Sequence, residues 1–264
     1  MNTTQPANPR NNSASLRKAL AILQHLGDAA GEDQSLGQIS TALDLNKSTV
    51  TRLLQPLLET SFVEAGDAPS TYRLSWQNAR LGQAYLGSLR PDRDMHQTLV
   101  DLSAATRETT HLVRASTTNV VYIDKVDSPY AVRMVSRIGN VQPMYSTSVG
   151  KCILAHAGDD LIAAVVAAGM PPRTPATITT EAALRAELAL IRERGWAIDD
   201  VENEDGIRCV AAPVFDASGE CSLAISVSGP VSRVPSERVA ALAPLVTTAA
   251  GDISRRLGAA SPVR

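Results

Sequence analysis

The hydrophobic period of this chain changes from helical to strand-like near its middle, and that change constrains the fold more than any other feature. SLRKALAILQHL places Leu16, Ala19, Leu20, Leu23 and Leu26 at helical spacing, and DMHQTLVDLSAATRET reads the same way. From His111 onward, HLVRAS, VVYIDKV and YAVRMVSRI are rich in Val, Ile and Tyr and are separated by turn residues, which predicts three strands. Helical segments follow in DDLIAAVVAAG and in TTEAALRAELALIRERG, the latter with a Thr cap and a Gly stop. Strands return in WAIDD, RCVAAPVFD and CSLAISVSG, with Ala217-Ser218-Gly219 as the last hairpin turn. A closing helix contains Pro244, which is expected to kink or split it. Helix, three strands, helices, three strands, helix: the natural packing is a mainly antiparallel sheet with helices beside it, an α+β domain.

The first seventy-five residues have a different character. SLGQISTALDL is a short helix with Ser35 and Gln38 as a capping box. In NKSTVTRLLQPLLETSFVEA, Asn46 is the expected N-cap, and Val50, Leu53, Leu54, Leu57 and Leu58 form the buried stripe. The opposite face carries Lys47, Ser48, Thr49, Thr51, Arg52 and Gln55, with no acid before Glu59. Two helices joined by a tight turn, the second polar and basic at its start, describe a helix-turn-helix. Such a second helix puts its N-terminal residues at base edges in the major groove. Arg52 suits guanine, and Lys47, Ser48, Thr49 and Thr51 suit phosphate or base edges. An ordinary three-helix unit with a solvated face is the competing reading. FVEAGDAPSTYRLS then reads as strand, turn, strand, a two-stranded wing from which Arg73 can reach a phosphate. Residues 1–90 carry eight Lys and Arg against seven Asp and Glu, so double-stranded DNA binding by one copy is expected to be weak without dimerisation.

The loop YSTSVGKC raises the question of a nucleotide phosphate. A phosphate-cradling loop needs glycine five residues before Gly150 and a hydroxyl after Lys151; the chain has Tyr145 and Cys152 there. What remains is a hydroxyl-rich turn entering a helix. Either Thr147 or Ser148 simply caps that helix, or its free N–H groups bind a small carboxylate. Composition narrows the rest. The net charge of −2 excludes a uniformly basic coat but not a small DNA-reading module. No apolar run is long enough to span a bilayer, so no membrane partner is expected, and the polar first residues read as a disordered tail. Three widely spaced cysteines form no disulfide or zinc pattern, and the four histidines never reach metal-ligand spacing. A cytoplasmic protein with no metal and no cofactor is expected.

Over nearly its whole length the chain resembles the IclR-type transcriptional regulators. RKALAILQHL is similar to that family's opening helix, ISTALDLNKSTVTRLLQPL to its helix-turn-helix and YRL to its wing. RIGNVQPMYSTSVGKCILA and RGWAIDDVENEDGIRCVAAPVFDASGECSLAISVSGPVSR resemble its two signature runs in the second domain. The resemblance implies a tail over 1–14, a winged helix-turn-helix over 15–75, a linker helix over 76–91 and a GAF-like effector-binding domain over 92–264. It implies a homodimer or a dimer of dimers, not an enzyme, probing operator DNA under control of a small organic acid. The effector positions it carries across are Thr147, Ser148, Val149 and Gly150 at the helix start, with Asp199, Cys209, Ser226 and Ser228. Ser226 and Ser228 alternate on one strand and so share a face. The chain departs from the family pattern at Ser148, where alanine is common, and at Ser61, where glycine often ends the recognition helix. Pro56 is expected to bend or shorten that helix. Two rival readings stand beside this one: a ligand-binding protein without DNA activity, and an enzyme using Cys209, which no histidine in a fitting motif accompanies.

Overall fold

The computed structural model describes residues 13–29, 31–89 and 93–259. The chain divides between Leu89 and Arg90 into two compact units. The expected tail over 1–14 lies outside the described residues except for Ser13 and Ala14, which already belong to the first helix.

The first unit runs α1 (Ser13–Asp28), β1 (Gln34–Ser35), α2 (Leu36–Ala42), α3 (Lys47–Glu59), β2 (Val63–Ala65), β3 (Thr71–Leu74) and α4 (Trp76–Leu89). Its core is Ile22, Leu26, Ile39, Val50, Leu53, Leu54 and Val63. The α3 stripe is as read from the sequence, but in α1 the buried residues are Ile22 and Leu26, with Leu16 and Leu20 of the expected stripe exposed. The caps form as their residue types dictate. Ser35 and Gln38 close a full capping box on α2, and Asn46 Oδ1 accepts the Thr49 N–H at 2.8 Å to start α3. The wing gains a third strand, because β1 pairs with β3 and gives the order β1-β3-β2.

Helix α3 does not end early. It continues through Pro56 to Glu59. Pro56 lies on the exposed side, where water can satisfy the carbonyl that its missing N–H leaves unbonded. The helix then stops in the geometry that glycine usually serves. Ser61 takes φ 59°, its N–H reaches Leu58 O at 3.1 Å, and Phe62 N–H reaches Leu57 O at 2.9 Å. Those are the two bonds of a Schellman stop, made here without glycine.

The second unit runs α5 (Arg93–Thr106), β4 (Thr109–Ser116), β5 (Asn119–Val126), β6 (Val141–Pro143), α6 (Ser148–His156), α7 (Asp159–Ala168), α8 (Glu181–Arg194), β7 (Ala197–Asp200), β8 (Ile207–Val214), β9 (Leu223–Pro230) and α9 (Ser236–Arg256). The six strands form one antiparallel sheet in the order β6-β5-β4-β9-β8-β7. α6 and its neighbours α7 and α8 cover the face that carries Val113, Tyr122, Ala197, Ala211 and Ala224. α5 and α9 pack on the sheet as well.

One expectation fails in this unit and a second is narrowed. YAVRMVSRI forms no strand; the third strand of the first group is the short β6. Met134 and Ser136 are buried while Val132 and Val135 are 72% and 81% exposed, so β-forming composition is present here without a ladder partner. α9 is continuous through Pro244, which is exposed as Pro56 is.

Ser61→Gly is expected to stabilise the first unit by about 0.5–1 kcal/mol, because glycine enters the left-handed region without a Cβ penalty. Urea unfolding followed by a probe in the first unit measures this; an unchanged or lower midpoint contradicts it.

Candidate functional site

The first unit presents a polar helix face. Lys47, Ser48, Thr51, Arg52 and Gln55 on α3 are exposed and Thr49 is half-buried, opposite Val50, Leu53 and Leu54 in the core. Lys47 and Arg52 have no carboxylate partner among the described residues. Ser48 and Thr51 are partly committed: Ser48 donates to Asn46 Oδ1 at 3.0 Å and Thr51 to Lys47 O at 2.9 Å. Their hydroxyls must rotate before they donate to a phosphate. Arg73 is placed differently from the other five. Its guanidinium binds Glu64 at 2.8 Å and lies 3.4 Å from Asp67 and 3.5 Å from Asp33. A phosphate would compete with three carboxylates for it, so its evident work is joining the strands of the wing.

In the second unit the sheet register assembles the polar site. Cys209 lies opposite Ser228 and Ser228 opposite Thr109, while Asp199 pairs with Cys209 on the outer side. One step along, Ala211, Ser226 and His111 form the next row. All these side chains project from the same face, the one α6 covers. Asp199, Cys209, Ser226, Ser228 and His111 are each at most 6% exposed.

His111 was not singled out by the sequence, yet it stands at the centre of this row. Its Nε2 lies 2.8 Å from Ser136 Oγ, and its Nδ1 lies 3.5 Å from Ser226 Oγ and 3.4 Å from Ser228 Oγ. Its ring stacks on Tyr122 with centroids 4.6 Å apart. Burial pushes its pKa down to about 3, so it is a neutral donor and acceptor. Its alternation with Val113 on HLVRAS was a readable signal of face, but the neighbouring strand that gives it partners was not.

The loop YSTSVGKC divides its labour. Thr147 is the N-cap of α6: its Oγ1 accepts the Gly150 N–H at 3.2 Å and donates to Pro143 O at 2.7 Å. Both Thr147 and the Gly150 amide are therefore occupied. Gly150 is required for another reason, since a Cβ there would stand 2.3 Å from Met144 Cα. The amides of Ser148 and Val149 remain without intrahelical acceptors at the positive end of the helix. The Ser148 hydroxyl makes no hydrogen bond among the described residues, and the residue is 1% exposed.

Electrostatically this is a dry site. Burial pushes the Cys209 thiol well above its ordinary range, so it is protonated. Burial also pushes the Asp199 carboxyl up to about 7, against the lowering effect of the Glu202 and Asn203 N–H groups that it accepts. No group of three or more metal-ligating side chains occurs among the described residues.

An unfolded Asp ionises near 4, so the raised Asp199 value contributes stability at low pH that is lost as pH rises from about 4 to 7. Asp199→Asn is therefore expected to be more stable than the parent at pH 8 by about 1–3 kcal/mol, with the gain vanishing at pH 4. Urea midpoints at the two pH values check this; equal midpoints at pH 8 contradict it.

Comparison with known proteins accounts for both units. The IclR helix-turn-helix domain matches residues 15–67, and the C-terminal domain of the bacterial transcriptional regulator IclR matches residues 83–255. The HTH-type transcriptional regulator KdgR of Escherichia coli is 36% identical over 248 residues, 93% of each chain. The HTH-type transcriptional repressor AllR of Salmonella typhi is 32% identical over 94% of this chain and 91% of its own. The crystal structure of Thermotoga maritima IclR superposes with a TM-score of 0.71 at 33% identity, covering 92% of this chain and 98% of that one. An IclR homolog from Microbacterium hydrocarbonoxydans, crystallised with 4-hydroxybenzoate, shares the fold with a TM-score of 0.74 at 22% identity, over 92% and 99% of the two chains. Both family domains match, one in each unit, with relatives above 30% identity over more than nine-tenths of the chain, and the chain belongs to the IclR family of DNA-binding transcriptional regulators.

Proposed function

We propose that this regulator is a repressor whose operator affinity is set by a small organic acid in the second unit. The observation that carries the reading is the buried row Cys209–Ser228 and Ser226–His111, which shares its sheet face with the uncapped amides of Ser148 and Val149 at the start of α6. A carboxylate matches the helix end, and hydroxyl or carbonyl groups match the neutral row. The repressor AllR and the 4-hydroxybenzoate complex of the Microbacterium homolog support the sign of regulation and the ligand class. Short acids of two to four carbons are the other candidates. A homodimer or dimer of dimers would place two α3 helices about one DNA turn apart, roughly 34 Å. The acid then acts through a coupling free energy of about 1–3 kcal/mol between its site and the DNA.

A Cys209-dependent enzyme draws no support from the site, because a nucleophilic thiol needs a lowered pKa and this one is raised by burial.

Gel-shift titration with the DNA upstream of the protein's own gene, against excess random competitor and at several salt concentrations, tests the reading. Specific binding should weaken steeply with salt. The Lys47→Ala/Arg52→Ala double variant should lose at least about tenfold in specific affinity, since base and phosphate contacts are each worth about 1–3 kcal/mol. Unchanged specific affinity in that variant would remove α3 as the reading helix. Ser226→Ala should bind DNA like the parent and need about ten times more acid to respond, the cost of one hydrogen bond to a charged group.

A further inference from the structure

Lys151, the lysine of YSTSVGKC, is used neither by the DNA face nor by the acid-binding row. It is fully buried in the first turn of α6, and its Nζ pairs with Glu202, whose side chain is 7% exposed. Glu202 belongs to the turn Asp199–Asn203, which also supplies Asp199 to the site.

That turn is strained and closely pinned. Val201 has φ 61°, a left-handed conformation that a β-branched residue rarely adopts. Asp199 Oδ1 accepts the N–H groups of Glu202 at 2.7 Å and Asn203 at 3.2 Å. Thr174 donates to Val201 O at 2.6 Å, Thr177 to Glu202 O at 2.7 Å, and Ser146 to Asn203 Oδ1 at 2.9 Å. The second carboxylate oxygen of Glu202 is buried with no hydrogen-bond partner among the described residues. A buried ion pair with an unsatisfied oxygen is a poor stabiliser compared with packed apolar side chains of similar size. A strained residue persists only where its surroundings over-determine it. Stability explains neither feature. Placement explains both, because the turn they constrain sets the position of Asp199 across from Cys209.

We infer that Lys151 and Glu202 are positioning residues for the acid-binding site: their buried pair ties the first turn of α6 to the Asp199–Asn203 turn and so fixes where the Asp199 carboxyl stands. The inference rests on the reading of that site given above, but the geometry it asserts exists before any ligand binds. The two charges act on Asp199 in opposite directions. Loss of the Glu202 charge leaves the ammonium to favour ionised Asp199; loss of the ammonium leaves the carboxylate to disfavour it. Cys209 and Tyr122 are the other titratable groups that interact with this carboxyl, Glu204 acts in turn on those two, and all three remain in both variants.

Carboxyl NMR titration of Asp199 in the full chain tests this without an effector. Glu202→Gln should lower the Asp199 midpoint by a unit or more, and Lys151→Met should raise it. Hydrogen exchange at the Glu202 and Asn203 amides should quicken at least tenfold in Glu202→Gln, with the β8 and β9 amides unaffected. An unmoved midpoint overturns the inference, and so does a general loss of protection without a shift at Asp199, which marks a merely structural pair. Should Lys151→Met fail to fold, the downward shift in Glu202→Gln decides alone. In gel-shift assays with 4-hydroxybenzoate and acetate as probes, an equal response from the parent and Glu202→Gln also overturns it. Silence of every acid on the parent would undo the acid-binding reading while the titration result still stands on its own.

Discussion

Everything in the second unit depends on the pairing of β9 between β4 and β8. That register places Ser226 beside His111 and Ala211, and Ser228 beside Cys209 and Thr109. Because side chains alternate across a strand, a slip of β9 by one residue would send Ser226 and Ser228 to the opposite face and put Ile225 and Val227 beside His111 and Cys209. The apolar residues therefore enforce the polar site: Leu112, Ile225 and Ala212, all fully buried, form the row that anchors the opposite face.

Within that frame the chain handles charge sparingly. The histidine is neutral and the thiol protonated, both through burial. The charges closest to this row, on Lys151 and Glu202, join one turn to one helix end, while the other buried carboxylate, Glu108, is held by Arg233 and Arg238. A site of this kind offers a ligand donors and acceptors in a low-dielectric setting, where an imperfect match is costly.

Local features were legible in the sequence wherever one segment sufficed to define them. The Ser35–Gln38 box, the Asn46, Thr147 and Thr180 caps, the Gly195 stop and the core stripe of α3 each follow from residue type and spacing within one turn or two. Non-local facts were not. The sequence offers Arg73 as a free cation; Glu64 and Asp67 reach it only through the β2–β3 register, and Asp33, forty residues earlier, only through the β1–β3 pairing. His111 looks like an ordinary strand residue until β9 lies beside it. YAVRMVSRI has the composition of a strand but finds no partner for its backbone, and composition cannot supply one. The family resemblance pointed to Asp199, Cys209, Ser226 and Ser228, which the sheet brings onto one face; the buried Lys151–Glu202 pair behind them belongs to no local pattern.

The two helical prolines have a common lesson. Pro56 and Pro244 both face outward, so each gives up a hydrogen bond that water replaces and neither costs the core a contact. In α3 the two tasks are divided by face and not by position along the helix. Lys47, Ser48, Thr51, Arg52 and Gln55 make the polar face proposed for DNA, while Val50, Leu53 and Leu54 from the same turns are buried in the core. Substitutions confined to the polar face therefore leave the core contacts of the helix untouched, and the outward proline lies on the side where the chain is free to vary.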